Sequence, residues 1–143
     1  MIENVIPVTL ETLLDETVKI KFSGRKFVTL SCVETDAKTV DILYHFSRDY
    51  ELTHFRVNVP KNIAVPSISH IYACAFLAEN EIQDLFNISF TNLSIDFKRT
   101  LFLENGIRSG PLCRYSVTDT LPGPADDRGL NDKQKTSADT RRP

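Results

Sequence analysis

The stretch TVDILYHFSRDYELTHFRVNVP, residues 39–60, decides how this chain folds, because it contains two alternating segments joined by a very short link. In each segment every second residue is apolar or β-branched, which is typical of a strand with one buried face. We predict strands over Thr39–Ser47 and Leu52–Val59, and the link at residues 48–51 favours an antiparallel hairpin. The alternating positions are Val40, Ile42, Tyr44, Phe46, Thr53, Phe55, Val57 and Val59.

The segments on either side of the hairpin predict the rest of an α+β fold. Residues Lys26–Val33 are rich in β-formers and predict a third strand. Residues Thr9–Lys21 predict a short amphipathic helix that ends at Gly24, and Ile88–Leu93 and Thr100–Leu103 predict short strands. The fold is therefore expected to have an N-terminal helix, an antiparallel sheet with a central hairpin, a buried helix packed on the sheet and an extended C-terminal tail. The apolar stripe of the first helix is Leu10, Leu13, Leu14 and Val18.

The predicted buried helix covers residues 67–86, with Ser67 after Pro66 as its N-cap. Residues 69–78 contain no Asp, Glu, Lys or Arg, yet three carboxylates follow within six residues. A continuous helix would place them at the negative end of its dipole, whereas a bend near Ala78 would place them in a favourable first turn. We therefore expect a bend. The three carboxylates are Glu79, Glu81 and Asp84.

The last part of the chain differs in composition from the rest. Residues 122–143 hold one large apolar residue, Leu130, beside three prolines and nine charges. Such a segment does not bury enough apolar surface to offset its ordering entropy. We therefore divide the chain into an α+β domain over residues 1–116 and a polar, extended or disordered tail over residues 117–143.

Composition excludes several classes of protein. A net charge of −2 and a pI near 5.9 argue against a nucleic-acid-binding protein, which usually has a basic face. No apolar run approaches the roughly 18 to 20 residues that span a bilayer, and the N-terminus lacks a secretory signal. The three cysteines, Cys32, Cys74 and Cys113, form neither a metal-binding motif nor a disulfide framework, which favours a reducing compartment.

Catalysis and metal binding have weak support in the sequence. Glu81 and Asp84 are spaced i, i+3, as in an acid/base dyad, but no second half of an active site accompanies them. His45 and His54 would face each other across the hairpin, and His70 lies before the next helix. Without an HxxxH motif or a cysteine partner they are a weak metal signal, and we interpret the hairpin pair as polar residues on the solvent face. We assign no catalytic, cofactor-binding or metal-binding residue.

Docking onto another protein explains more of the pattern. A buried helix with apolar residues on both faces, an acidic edge and a polar tail are typical of a subunit of a larger assembly. The basic pair Lys98-Arg99 is too small for a nucleic-acid patch, but it suits a counter-charge for the acids or part of a contact surface.

The stretch VPSISHIYACAFLAENEIQDLFNISF, followed by FKRTLFL, resembles the 30-kilodalton subunit family of NADH:quinone oxidoreductase, respiratory complex I. The family's signature is a Ser-initiated helix, an aromatic residue, Glu-Arg-Glu, two residues, Asp, two apolar residues, Gly, Ile and an aromatic strand. Upstream, VDILYHFS and LTHFRVNVP resemble the family's hairpin, so the resemblance covers about residues 26–103. The matching signature positions are Ser67, Glu79, Glu81, Asp84, Leu85, Phe86, Ile88 and Phe90.

Departures from the signature indicate a particular branch of the family. Asn80 replaces the central Arg, Asn87 replaces the Gly, and residues 93–95 replace a His-Pro. The family's Pro-Leu-Arg-Lys ending is only PLCR at residues 111–114, and the N-terminal region is short for a respiratory member. In these features the chain is more similar to the versions in energy-converting, membrane-bound nickel–iron (NiFe) hydrogenases.

The resemblance implies a non-catalytic structural and assembly subunit in the peripheral cytosolic arm of such a hydrogenase, which couples ferredoxin oxidation and H2 evolution to ion translocation. This chain would bind no cofactor, and neighbouring subunits would carry the NiFe centre and 4Fe-4S clusters. The implied partners are the large NiFe-hydrogenase-like (49 kDa-like) subunit and the small iron–sulfur subunit, with membrane association through other subunits at the cytoplasmic side. The alternatives are the equivalent subunit of NADH:quinone oxidoreductase, and a free-standing binding adaptor.

The expected interface lies where the buried helix ends. Its carboxylates would accept hydrogen bonds from backbone amides and pair with the basic residues at 98 and 99 or with those of the large subunit. Two apolar residues would anchor the contact, and the chain after Leu103 would wrap around the neighbour. The expected interface residues are Glu79, Glu81, Asp84, Leu85, Phe86, Lys98, Arg99, Pro111 and Leu112.

Overall fold

A computed structural model describes residues 4–104 of the chain. Strands and helices are mixed along this segment, which confirms the α+β class. The elements are β1 (Val5–Pro7), α1 (Leu13–Phe22), β2 (Lys26–Glu34), β3 (Thr39–Arg48), β4 (Glu51–Pro60), β5 (Val65–Pro66), α2 (Ala75–Phe86) and β6 (Phe90–Thr91).

The central hairpin forms as the alternation predicts. β3 and β4 pair antiparallel along their whole length, and the eight alternating side chains are buried. Only Asp49 and Tyr50 lie between the paired residues Arg48 and Glu51, and their φ angles are positive, 50° and 67°. Two consecutive left-handed residues are typical of a type I′ turn, whose twist matches that of the two strands.

The main sheet contains four strands in the order β1-β4-β3-β2. β2 pairs antiparallel with β3, as expected, with an irregularity in register between Phe27 and Thr29. β1 adds a parallel edge strand on β4, with Val5 opposite His54, which the sequence pattern did not predict. The sheet is therefore mixed. A strand of three residues is too short to show the alternation on which strand prediction depends.

α1 begins at Leu13, four residues after the predicted start at Thr9. The hydroxyl groups of Thr9 and Thr12 lie 3.1 Å apart in a local turn, and such side-chain bonds compete with the helical backbone. The predicted end is close to the observed one, since Gly24 follows the helix with a φ of 83°. The predicted stripe is only half right, because Leu14 and Val18 are each 38% exposed. The buried face of α1 consists of Leu13, Thr17 and Ile20.

The prediction of a helix from residue 67 with a bend near Ala78 is wrong. Residues 67 and 68 are irregular, residues 69–74 form turns, and α2 is continuous through Ala78. Ser67 is not an N-cap, because its hydroxyl donates a hydrogen bond to the Glu79 carboxylate 12 residues along the chain, at 2.6 Å. The first turn of α2 contains no acidic residue, so the dipole does not explain the carboxylates. The helix ends at Asn87, whose left-handed φ of 58° suits a position where the family signature has Gly.

One core joins the buried face of the sheet to both helices. The Phe46 ring lies 6.0 Å from the Phe27 ring, 5.1 Å from Phe55 and 5.6 Å from Tyr72, measured between centroids. α2 packs against β2 in this layer. The opposite face of β3 and β4 carries the residues between the buried ones, including His45.

A second, two-stranded sheet pairs β5 with β6 in parallel, Val65 opposite Phe90. The strand predicted over Ile88–Leu93 is thus reduced to two residues, and the one predicted over Thr100–Leu103 is a bend. Within residues 4–104 no helix is long and apolar enough to cross a membrane. The proposed boundary at residue 116 and the tail over 117–143 lie outside the described residues.

Candidate partner-docking site

Four polar side chains of α2 are almost completely buried, and all of them hold other parts of the chain by hydrogen bonds. Glu79 bonds to the turns before the helix, and Gln83 bonds to β6. Gln83 also bonds to the segment after β6, as do Asn80 and Asp84, and we call this segment the 95–102 loop (residues 95–102). Buried polar groups need such partners, because an unpaired one costs about 1 to 3 kcal/mol. The four residues are Glu79, Asn80, Gln83 and Asp84.

Glu79 holds the turns that precede α2. Its Oε2 accepts a hydrogen bond from the Ser67 hydroxyl at 2.6 Å, and its Oε1 accepts one from the Ile68 backbone N–H at 2.8 Å. The Ser67 hydroxyl also lies 2.6 Å from that of Ser69. Burial raises the pKa of Glu79 to about 7, although both hydrogen bonds act to lower it.

Asn80 and Gln83 hold the 95–102 loop against α2. The Asn80 side chain donates to the Ile95 carbonyl and accepts from the Phe97 N–H, both at 2.8 Å. Gln83 donates to the Asp96 carboxylate and accepts from the β6 backbone, both at 3.1 Å. Asn80, which replaces the Arg of the family signature, therefore has a structural role in this chain, because it holds the loop against α2.

The three carboxylates that the sequence places together have different environments. Asp84 is fully buried, and its Oδ2 accepts a hydrogen bond from the Phe102 N–H at 2.7 Å. Its Oδ1 is buried without a partner, so Asp84 has unused capacity to accept a hydrogen bond. Glu81 is exposed on the outside of α2. The expected backbone-amide hydrogen bonds are confirmed for Glu79 and Asp84, which therefore act inside the fold.

The expected ion pairs between these carboxylates and the basic pair do not form. None of the ion pairs within residues 4–104 joins them. The Arg99 guanidinium donates to the Asn87 side chain and to the Ser89 hydroxyl, the latter at 3.0 Å, and so links the loop to the end of α2. Lys98 is exposed.

The expected apolar anchors are also placed differently. Leu85 is 7% exposed and belongs to the interior, and Phe86 is partly buried against the core. Pro111 and Leu112 lie outside the described residues.

Sequence reasoning missed the apolar side chains that α2 and its loop expose. Leu77 lies on α2 one turn before Glu81, and the loop residues bonded to α2 carry further apolar side chains. A ring contact of 6.3 Å between Phe76 and Phe97 adds to the hold on the loop. We call the exposed apolar residues of α2 and of the 95–102 loop, together with Glu81 and Lys98, the α2–loop surface. Its apolar members and their exposed fractions are Leu77 50%, Ile95 49%, Phe97 37% and Phe102 62%.

The described residues supply little for catalysis or for a metal cluster. Residues 4–104 contain no group of three or more His, Cys, Asp or Glu side chains suited to a metal ion. Burial raises the pKa of Cys32 to about 12, so its thiol stays protonated and unreactive. His45 and His54 do face each other, with their Nδ1 atoms 2.6 Å apart, but His54 is buried, not solvent-facing as predicted.

Comparisons with known proteins identify the family of the chain. Residues 5–119 match the family described as "Respiratory-chain NADH dehydrogenase, 30 Kd subunit". Over 94 residues the chain is 36% identical to a subunit of the NADH-quinone oxidoreductase of Ruegeria pomeroyi, covering 64% of this chain and 46% of that protein. The chain thus spans about half the length of this curated relative.

The fold also resembles that of a solved structure. A chain in the structure of the membrane-bound sulfane sulfur reductase, an archaeal respiratory membrane complex, matches with a TM-score of 0.60. The match covers 71% of this chain and 64% of that one, at 16% sequence identity. At this identity the likeness shows the fold alone.

Proposed function

The chain belongs to the 30-kilodalton subunit family of the respiratory-chain NADH dehydrogenase, and from that premise we propose that it is a non-catalytic subunit that docks onto a larger neighbour. The neighbour is the large 49 kDa-like subunit of a complex I-like assembly, with a small iron–sulfur subunit beside it. The NiFe centre and 4Fe-4S clusters belong to those partners. The chain is peripheral, at the cytoplasmic side of the membrane, and its partners provide the membrane attachment.

The observation that carries this proposal is the α2–loop surface. It has four apolar side chains that are 37% to 62% exposed. One of them, Leu77, is on α2 itself, and the backbone of the other three is held by buried polar groups of α2. Exposed apolar side chains grouped on a fixed backbone are typical of protein–protein contacts, because a pre-ordered surface loses little entropy on binding. Glu81 and Lys98 supply charges at the rim, where they favour one orientation of the partner more than they add affinity. The wider interface includes Arg99 and the residues at 111 and 112.

Two assemblies suit this role. We favour an energy-converting NiFe hydrogenase, in which ferredoxin oxidation and H2 evolution are coupled to ion translocation, because Asn80 and Asn87 replace the Arg and Gly of the respiratory signature. Both replacements have a defined place in the fold, one in the loop contact and one at the end of α2. The second candidate is an NADH:quinone oxidoreductase, which the identity of 36% to a protein of that enzyme favours.

A pull-down of the full chain from detergent-solubilised membranes tests the proposal. We expect a large hydrogenase-like chain, with nickel and iron in the same fraction. Iron with a flavin-bearing, NADH-oxidising chain and no nickel would assign the protein to the quinone reductase. A lone chain that runs as a monomer on gel filtration would contradict both and favour a free-standing adaptor.

Replacing Asp84 tests the link between the buried hydrogen bonds and docking. In Asp84→Ala the Phe102 N–H loses its acceptor, so the end of the 95–102 loop is released and the α2–loop surface is no longer pre-ordered. We expect the amount of co-purified partner to fall several-fold. Asp15→Ala, which removes an exposed carboxylate from α1, is the control and leaves the yield unchanged. Equal yields from both variants would contradict a docking role for this surface.

A further inference from the structure

Two histidines on the face of the hairpin opposite the core take no part in the α2–loop surface. His45 and His54 are directly opposite in the register of β3 and β4. Their ring centroids are 4.8 Å apart, their planes meet at 78°, and their Nδ1 atoms are 2.6 Å apart. The backbone N–H of His54 also donates to Asn4 beside β1, at 3.0 Å, so β4 is held on both sides at this point.

One proton is shared between the two rings. Two Nδ1–H groups at this distance would clash and two lone pairs would repel, so one Nδ1 donates and the other accepts. The Ser31 hydroxyl lies 2.8 Å from Nε2 of His45 and can accept a hydrogen from it. In that tautomer the Nδ1 of His45 has a free lone pair directed at its neighbour.

We propose that His45 and His54 form a two-ligand site for a divalent transition-metal ion with tetragonal geometry, Cu(II) above all, bound through the two Nδ1 atoms. Imidazole nitrogens bind such ions at about 2.0 Å, so two adjacent ligands of a square plane lie about 2.8 Å apart. The observed 2.6 Å needs to open by only a few tenths of an ångström, and both rings must turn so that their Nδ1 lone pairs point at one ion instead of at each other. Tetrahedral Zn(II) would require about 3.3 Å and a larger movement of the strands.

The surroundings of His45 suit a metal ligand. Burial, and then the neighbouring His54, lower the pKa of His45, so the neutral imidazole is available to a metal. On binding, the shared proton moves to Nε2 of His54, while His45 keeps the hydrogen that it donates to Ser31. No proton is released, and Ser31 orients the His45 ring as hydrogen-bond acceptors do around metal-binding histidines. Water fills the remaining coordination positions.

Calorimetric titration of the full chain with copper(II) sulfate tests the site, in a background with Cys74→Ser and Cys113→Ser to prevent reduction of the ion. We expect one ion per chain. In His45→Gln or His54→Gln the chelate loses one ligand and the affinity falls on the order of a hundredfold. His70→Gln is the matched control and binds as the background does. No binding, or an unchanged affinity in both hairpin variants, would overturn the proposal.

A second measurement keeps both histidines in place, so its outcome does not depend on whether the histidine variants fold. Substoichiometric Cu(II) should broaden the ring proton signals of His45 and His54 in the NMR spectrum before that of His70. Equal broadening of all three rings, or of His70 first, would show that copper binds elsewhere.

Discussion

The fold changes the chemistry of Glu79, because burial raises the pKa of its carboxyl group. A carboxyl group with a pKa of 4.5 in the unfolded chain and of about 7 in the folded chain binds its proton more tightly when folded. Its contribution to stability is therefore complete below pH 4.5, declines as the pH rises, and is lost above pH 7. The shift corresponds to a change on the order of 3 kcal/mol across that window.

Glu79→Gln should remove this dependence. The amide is uncharged at every pH and resembles the protonated carboxyl group in size and in its donor and acceptor, so the contacts with Ser67 and Ile68 can persist. We expect the free energy of unfolding to decline less between pH 5 and pH 8 than in the unmodified chain, by on the order of 3 kcal/mol. Urea unfolding of both chains at the two pH values measures this change in the free energy of unfolding.

The control for this prediction is Glu81→Gln on the same helix. Glu81 is exposed, so its replacement should leave the pH dependence as it is. If both variants keep the slope of the unmodified chain, the buried carboxyl of Glu79 is ionised throughout and our account of it fails.

Elements with a strong, long pattern were predicted well, and elements shaped by side-chain hydrogen bonds were not. The hairpin was predicted almost to the residue, because eight alternating positions and a short link all indicate one register. The helix over residues 67–86 was overextended, since Ser67 and Ser69 bond to Glu79, to each other and to the later chain instead of continuing a helix. Such contacts join distant residues and leave no periodic signal.

The same contacts explain why the sequence indicated the location of the candidate site but not the role of each residue. The sequence draws attention to the end of α2, because three carboxylates in an apolar segment are conspicuous. Their roles were not predictable, since the orientation of a side chain on α2 depends on where the 95–102 loop returns. The exposed apolar side chains of that loop resemble core residues when the sequence alone is considered.

The turn of the β3–β4 hairpin stores strain that a substitution can release. Tyr50 is fully exposed and has a left-handed φ of 67°, a conformation that costs a residue with a Cβ roughly 1 to 2 kcal/mol. Tyr50→Gly should raise the free energy of unfolding by about 0.5 to 1 kcal/mol, as measured by urea denaturation. Tyr50→Ala keeps the Cβ and should give no such gain. A gain of equal size in both variants would show that the tyrosine ring, not the backbone, is the cause.

At the scale of the whole molecule, two exposed phenylalanine rings lie in different settings. Phe102 is 62% exposed on the α2–loop surface, and Phe22 is 88% exposed at the end of α1. Only the first belongs to a surface whose backbone is held by buried side chains. Replacing each of these two rings therefore distinguishes a role in docking from exposure alone.

Phe102→Ser should reduce the amount of partner recovered with the chain several-fold, because it removes the most exposed apolar side chain of the α2–loop surface. Phe22→Ser should leave that amount unchanged, although it removes a more exposed ring. The measurement is quantitative co-purification, with circular dichroism to verify that both variants fold. A larger loss from the Phe22 variant would place the partner on α1 instead.

The hydrogen bonds that hold the 95–102 loop have a consequence for how this protein evolves. Asn80 and Asp84 bond to the main chain of the loop, at Ile95, Phe97 and Phe102, so their hold does not depend on the loop's side chains. Substitutions at Ile95 and Phe102 therefore leave these hydrogen bonds in place. A lineage can replace its contact residues and follow a changing neighbour while the inherited anchor stays the same.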